Sequence, residues 1–180
     1  MVGLVLAALG AVYASTTPRY ALYRLGAAMD RHDVAGAERY FDLERIADAA
    51  TDVIVTDYLA RQPAPASAAE ARGRQVAAGI AKHGIRPAVL VRVRAEIRRS
   101  AERSGMQSAA VVLPVGLLAT LWGFEVSSDG PDVWVVYRGD VSRGPFRFRM
   151  SRQPDRSWKI SELDPEWVRR RAREGHPRVR

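Results

Sequence analysis

Apolar positions recur along this chain with two different periods, and the change from one to the other divides it. From Pro18 to Ala60 the period is helical. Leu22, Leu25 and Met29 repeat every three to four residues with Tyr20 and Tyr23 beside them. Thr16 and Thr17 stand before them as caps, and Pro18 suits a first helical turn because the donor it lacks would find no partner there. Asp30-Arg31-His32-Asp33 interrupts the pattern. Asp33 then opens a second short helix through Phe41, and Asp42 a third, on which Leu43, Ile46, Ala47, Ala50, Val53, Ile54 and Tyr58 form one stripe. A stripe that long demands an apolar partner from later in the chain.

Gln62-Pro63-Ala64-Pro65-Ala66 reads as a linker. Ser67-Ala68-Ala69-Glu70 is a capping box, predicting a helix through Val76, Ile80 and Lys82 to a stop at Gly84. Pro87 starts the next helix, with Leu90, Val93 and Ile97 inward, Arg92, Arg99 and Arg103 outward, and Gly105 as its end.

From Glu125 the period becomes two. Val133, Val135 and Tyr137 alternate with Trp134 and Val136, Phe146, Phe148 and Met150 with Arg147 and Arg149, and Trp158 and Ile160 with Lys159 and Ser161. Ser142-Arg143-Gly144-Pro145 and Gln153-Pro154-Asp155-Arg156 supply turns. The expected fold class is therefore α+β: an N-terminal helical layer packed on a C-terminal antiparallel sheet of at least three strands. After Asp164-Pro165 a basic tail follows as a frayed helix.

Two stretches fit neither period. Met1 to Pro18 carries no charged side chain and is apolar from Val2 to Ala14. That is short of the about 20 residues of a spanning helix and within reach of a signal segment, with Val12-Tyr13-Ala14 as a cleavage site. Arg19, Arg24 and Arg31 after it would hold the body in the cytoplasm by the positive-inside rule, so cleavage and anchoring both stand, with a buried terminal helix as the alternative. Ser108 to Phe124 is uncharged over 17 residues, but Pro114 and Gly116 interrupt it, which favours a core element over a membrane-associated one. The expected division is residues 1–17 as a hydrophobic signal or membrane anchor, 18–165 as a single α+β domain and 166–180 as a basic tail.

Composition narrows the chemistry. A chain of 180 residues suits one domain with its own core. The absence of cysteine excludes disulfides, thiolate metal sites and thiol catalysis. Asn is also absent, so caps and turns fall to Asp, Ser, Thr and Gly. The net charge of +8 is uneven. Seven acids lie between Asp33 and Asp57 against two arginines, whereas Arg86 to Arg103 and Glu166 to Arg180 carry six arginines each against two acids.

At the family level, the carrying residues are a Thr-Pro after the hydrophobic segment, Tyr20-Ala21-Leu22-Tyr23-Arg24-Leu25, the break from Ala28 to Asp33, and Tyr40-Phe41-Asp42. To these are added Arg149-Met150-Ser151-Arg152 and Trp158-Lys159-Ile160-Ser161. On them the body from Pro18 to about Pro165 resembles an uncharacterised bacterial domain-of-unknown-function family. Its helices-then-curved-sheet order is also similar to small cystatin-like or nuclear-transport-factor-2-like modules. The resemblance implies an envelope protein with a signal or lipoprotein-type segment and brings no activity or catalytic residue. The stretch from Gly73 to Gly123 departs from it, and without a lipobox cysteine a lipid anchor is excluded.

Candidate chemistry is sparse. His32, His83 and His176 are scattered at no metal-ligand spacing. Glu44, Asp48 and Asp52 share one helical stripe, as a cation site or, more ordinarily, the wet face of an amphipathic helix. No nucleophile elbow, phosphate loop or dinucleotide fingerprint occurs, so no enzymatic activity and no cofactor are expected. The arginines match no nucleic-acid-binding motif, and anionic lipid or a protein partner suits them better. One site can be named. Alternation turns Arg147, Arg149 and Lys159 to the sheet face away from the core, where they form either an anion-binding cluster or a plain charged surface. The expected function is a non-enzymatic envelope module, periplasmic or anchored to the inner membrane, that binds a ligand or partner protein. The alternative is a membrane-anchored protein whose Arg-rich surface binds anionic lipid.

Overall fold

The computed structural model describes residues 16–104, 124–129, 131–137 and 146–174. Helix α1 spans Pro18–Asp30, and the Thr17 hydroxyl caps it by accepting from the Tyr20 N–H at 3.3 Å. At its other end the Asp33 N–H donates to Ala28 O and the His32 N–H to Met29 O, a Schellman closure with His32 at φ 56° in the left-handed position. Asp33 caps α2 (Val34–Glu38) and Asp42 caps α3 (Leu43–Ala60), each carboxylate accepting from the N–H three residues on.

The expected stop at Gly84 and restart at Pro87 are overturned. Ala68–Ser104 is one helix, α4, with Pro87 inside it. The box at its start forms, with Ser67 Oγ accepting from Glu70 N–H while Glu70 accepts from Ala66 N–H. An internal proline costs about 3 kcal/mol and an internal glycine about 1 kcal/mol. Packing of the second half, where Ile97 and Ala101 are buried, offsets part of that cost, and exposed ion pairs to α3 on either side of Gly84 add a little. Lys82 pairs with Asp52 at 2.6 Å, and Arg86 pairs with both Glu44 and Asp48. Beyond Pro87, Val93 and Ile97 pack toward the core as the pattern requires, whereas Val76 and Ile80 on the first half are exposed.

Strands β1 (Phe124–Asp129), β2 (Asp132–Tyr137), β3 (Phe146–Arg152) and β4 (Trp158–Leu163) form an antiparallel meander in sequence order. Val135, Phe148, Met150 and Ile160 line one face and are buried against Ala21 and Leu22 of α1 and Ile46 of α3. The fold is α+β, helices packed on a four-stranded antiparallel sheet. A bulge falls at Ser161, because Arg149 pairs with Glu162 but Met150 pairs with Ile160. The Ser161 hydroxyl fills the gap with bonds to Ser151 Oγ at 2.7 Å and Arg149 O at 3.4 Å. The outer edge of β4 is covered by a parallel bridge: Ile160 donates to Tyr40 O and accepts from Asp42 N–H, both at 2.8 Å.

The segment expected as a frayed tail forms α5, Pro165–Glu174. Buried Asp164 caps it by accepting from Glu166 N–H at 2.9 Å, Val168 is buried, and Trp167 meets Phe146 edge-on with ring centroids 5.5 Å apart. The third-helix stripe is also rotated from its expected position, with Thr51 and Val55 buried and Tyr58 exposed. The apolar stretch Val2 to Ala14 lies outside the described residues, as does Ser108 to Gly123. No described helix is long and apolar enough to cross a membrane.

Candidate functional site

The three cations expected to cluster are divided between two places. On β3, Arg147 binds Asp164 at 3.2 Å. Two residues on, Arg149 lies over the Trp134 ring, 4.9 Å from its centre, with Glu162 at 3.4 Å and Asp132 at 3.8 Å. The sheet supplies these counter-charges itself: Glu162 is the register partner of Arg149 across the bulge, and Asp164 follows β4 directly. Lys159 stands opposite Ser151 rather than an arginine and belongs to a different site.

That second site is a cleft of about 540 Å³ where α1, the turn before α3 and the β3–β4 turn meet. Its lining includes Tyr20, Arg24, Arg39, Tyr40, Trp158 and Lys159, with Asp155 and Ser157 at its rim. Local rules place each group. Tyr20 and Arg24 are four apart on α1 and so share a face. Tyr40 arrives through the bridge that pairs its neighbour Phe41 with Ile160. Trp158 and Lys159 open β4, and the Trp158 indole N–H donates to Thr16 O at 2.7 Å, which fixes the ring beside α1.

Among the described residues, three cations meet one carboxylate in this cleft. Hydrogen bonds to the Tyr20 and then the Tyr40 hydroxyl hold the Arg24 guanidinium above its ordinary pKa. Asp155 accepts from the Ser157 hydroxyl at 2.6 Å and from its N–H at 3.0 Å. Those bonds, with the nearby charge of Lys159, lower its pKa and keep it ionised. No carboxylate forms a salt bridge with Arg24, Arg39 or Lys159 among the described residues, in contrast to the β3 arginines. An aromatic-walled concavity with an excess of positive charge can hold an anion, its oxygens on guanidinium and ammonium donors.

Other candidates resolve differently. Glu44, Asp48 and Asp52 zip α3 to α4 through Arg86 and Lys82, and no group of metal-ligating side chains occurs among the described residues. His32 Nδ1 lies 2.9 Å from Ala101 O, and His83 Nδ1 the same distance from Gly79 O. A second concavity of about 410 Å³ runs along Glu166, Arg169, Arg170 and Arg173 of α5. It draws on one helix, and its Arg173 already pairs with Asp57 at 3.1 Å.

Arg24, Arg39, Tyr20 and Tyr40 escaped the reading of the sequence. The Tyr20–Arg24 spacing was visible there, but the bridge that brings Tyr40 to Lys159 leaves no trace in periodicity. Comparison with protein-family models, curated proteins and solved structures finds no match.

Proposed function

We propose that this chain is a non-enzymatic binding module of the bacterial cell envelope, cystatin-like in setting its helices before its sheet, and that it holds an anionic group in the cleft beside Trp158. One observation carries the reading: Arg24, Arg39 and Lys159, from three separate elements, converge on an aromatic-walled cleft in which Asp155 is the one carboxylate among the described residues. Envelope placement is supported by the uncharged apolar stretch Val2 to Ala14 ahead of the domain.

The test is the thermal midpoint in rising phosphate at constant ionic strength. Anion bound only by the native state stabilises it by about 2.7 kcal/mol at one hundred times its dissociation constant. For a domain of this size that corresponds to a rise of roughly 5–10 °C. Lys159→Gln and Arg24→Gln are expected to lose most of this gain, whereas Arg147→Gln, whose parent side chain serves Asp164, keeps it. Equal gains in all four proteins would sink the reading.

A further inference from the structure

We propose that the group held in the cleft is a phosphate monoester carried on a lipid headgroup, presented at a membrane surface. This rests on the anion-binding reading and names its ligand. The first argument is where the chain leaves the domain. Thr16 O accepts from the Trp158 indole, a wall of the cleft, so the first described residue lies against that wall. From Ala14 back to Val2 the sequence is apolar and uncharged, a composition that partitions toward hydrocarbon. Only Ser15 separates this stretch in sequence from Thr16, so a lipid surface that takes it up is tethered to the wall of the cleft.

Second is the chemistry of the walls. Trp158, Tyr20 and Tyr40 join apolar rings to polar tips, the combination favoured at the level of lipid headgroups. The third is charge. Three cations against Asp155 leave two positive charges in excess, a match for a phosphate monoester near its dianion rather than for the single charge of a phosphodiester. Phosphatidic acid has that headgroup, and glycerol 3-phosphate carries the same monoester in soluble form.

The full chain, kept in neutral detergent, supplies the experiment. Its thermal midpoint is followed as micelles are doped with phosphatidic acid, phosphatidylglycerol or phosphatidylcholine, and separately with soluble glycerol 3-phosphate. Phosphatidic acid is expected to raise the midpoint, phosphatidylglycerol less, and phosphatidylcholine not at all. The soluble monoester should act only at concentrations at least about a hundredfold higher, because the micelle holds lipid at high local concentration. Arg24→Gln and Lys159→Gln should each weaken the response to phosphatidic acid by about tenfold, with Arg147→Gln as the unchanged control. If glycerol 3-phosphate stabilises as well as phosphatidic acid does, the cleft binds anions but the lipid inference is wrong. If neither stabilises, or the cleft variants respond like wild type, the anion reading falls with it. Equal effects of phosphatidic acid and phosphatidylglycerol overturn the monoester assignment.

Discussion

Arg156 holds its backbone at φ 67°, and His32 at 56°, a region where a Cβ crowds the following carbonyl. Both sit where the chain must reverse: His32 closes α1, and Arg156 ends the turn Gln153-Pro154-Asp155, its N–H bonded to Gln153 O at 2.9 Å. Natural sequences favour Gly or Asn at such points, and this chain has no Asn. The two positions differ in compensation. His32 reaches Ala101 O on α4, whereas Arg156 is exposed at the tip of its turn. Arg156→Gly is therefore expected to stabilise the domain by about 0.5 kcal/mol, the relief of left-handed strain less the extra freedom of an unfolded glycine. Chemical denaturation with a lowered midpoint would show that the guanidinium makes a contact worth more than the strain.

Among the elements, α5 depends on charge that it does not own. Arg173 reaches Asp57 on α3 and Arg171 reaches Glu96 on α4 at 3.4 Å, while Val168 supplies the apolar contact. Burial by itself would raise the Asp57 pKa. The hydrogen bond from Arg173 and the charges of Arg61 and Arg173 together outweigh it and hold the carboxyl below its ordinary 3.8. A depressed folded-state pKa adds stability that is present above the unfolded value and disappears as pH falls through the folded one. Acid should therefore loosen α5 as pH falls below the ordinary 3.8 of the carboxyl, and Asp57→Asn should flatten that limb of the stability curve. Near-ultraviolet dichroism of the Trp167–Phe146 contact follows it, and an unaltered acid limb in Asp57→Asn would place the titration elsewhere. Caps were the most legible part of these elements: Thr17, Asp33, Asp42 and Ser67 all act where local spacing put them. Strands β2, β3 and β4 were equally legible, because inward alternation at Val133, Val135, Phe148, Met150 and Ile160 is a two-residue rule, although Tyr137 at the end of β2 is exposed and β1 was not foreseen. Pro87 misled because a local breaker was overruled by tertiary packing, which buries Ile97 and Ala101 beyond it. Of the expected site only Lys159 lies in the cleft, since residues distant in sequence supply both the counter-charges of Arg147 and Arg149 and the partners of Lys159.

For the molecule as a whole, the β4 edge is the seam between two halves built by different rules. The meander pairs each strand with its sequence neighbour, and such local pairings close quickly. The Phe41–Ile160 bridge and the Thr16–Trp158 bond instead join points far apart, the latter 142 residues. Closing loops of that length has an entropy cost that is met before the contacts return it. The expected consequence is a division of labour in time, with the hairpins organised at the folding transition state and the seam fastened after it. Trp158→Phe keeps the aromatic packing and removes the bond to Thr16, at about 1 kcal/mol. In stopped-flow measurements that loss should appear as about fivefold faster unfolding with the folding rate nearly unchanged. A loss carried by the folding limb would instead put the seam in the nucleus. If the seam closes late, it also opens first, and the cleft beside Trp158 is then the part of the protein with the shortest lifetime closed: an anion seated there would act as a brake on unfolding.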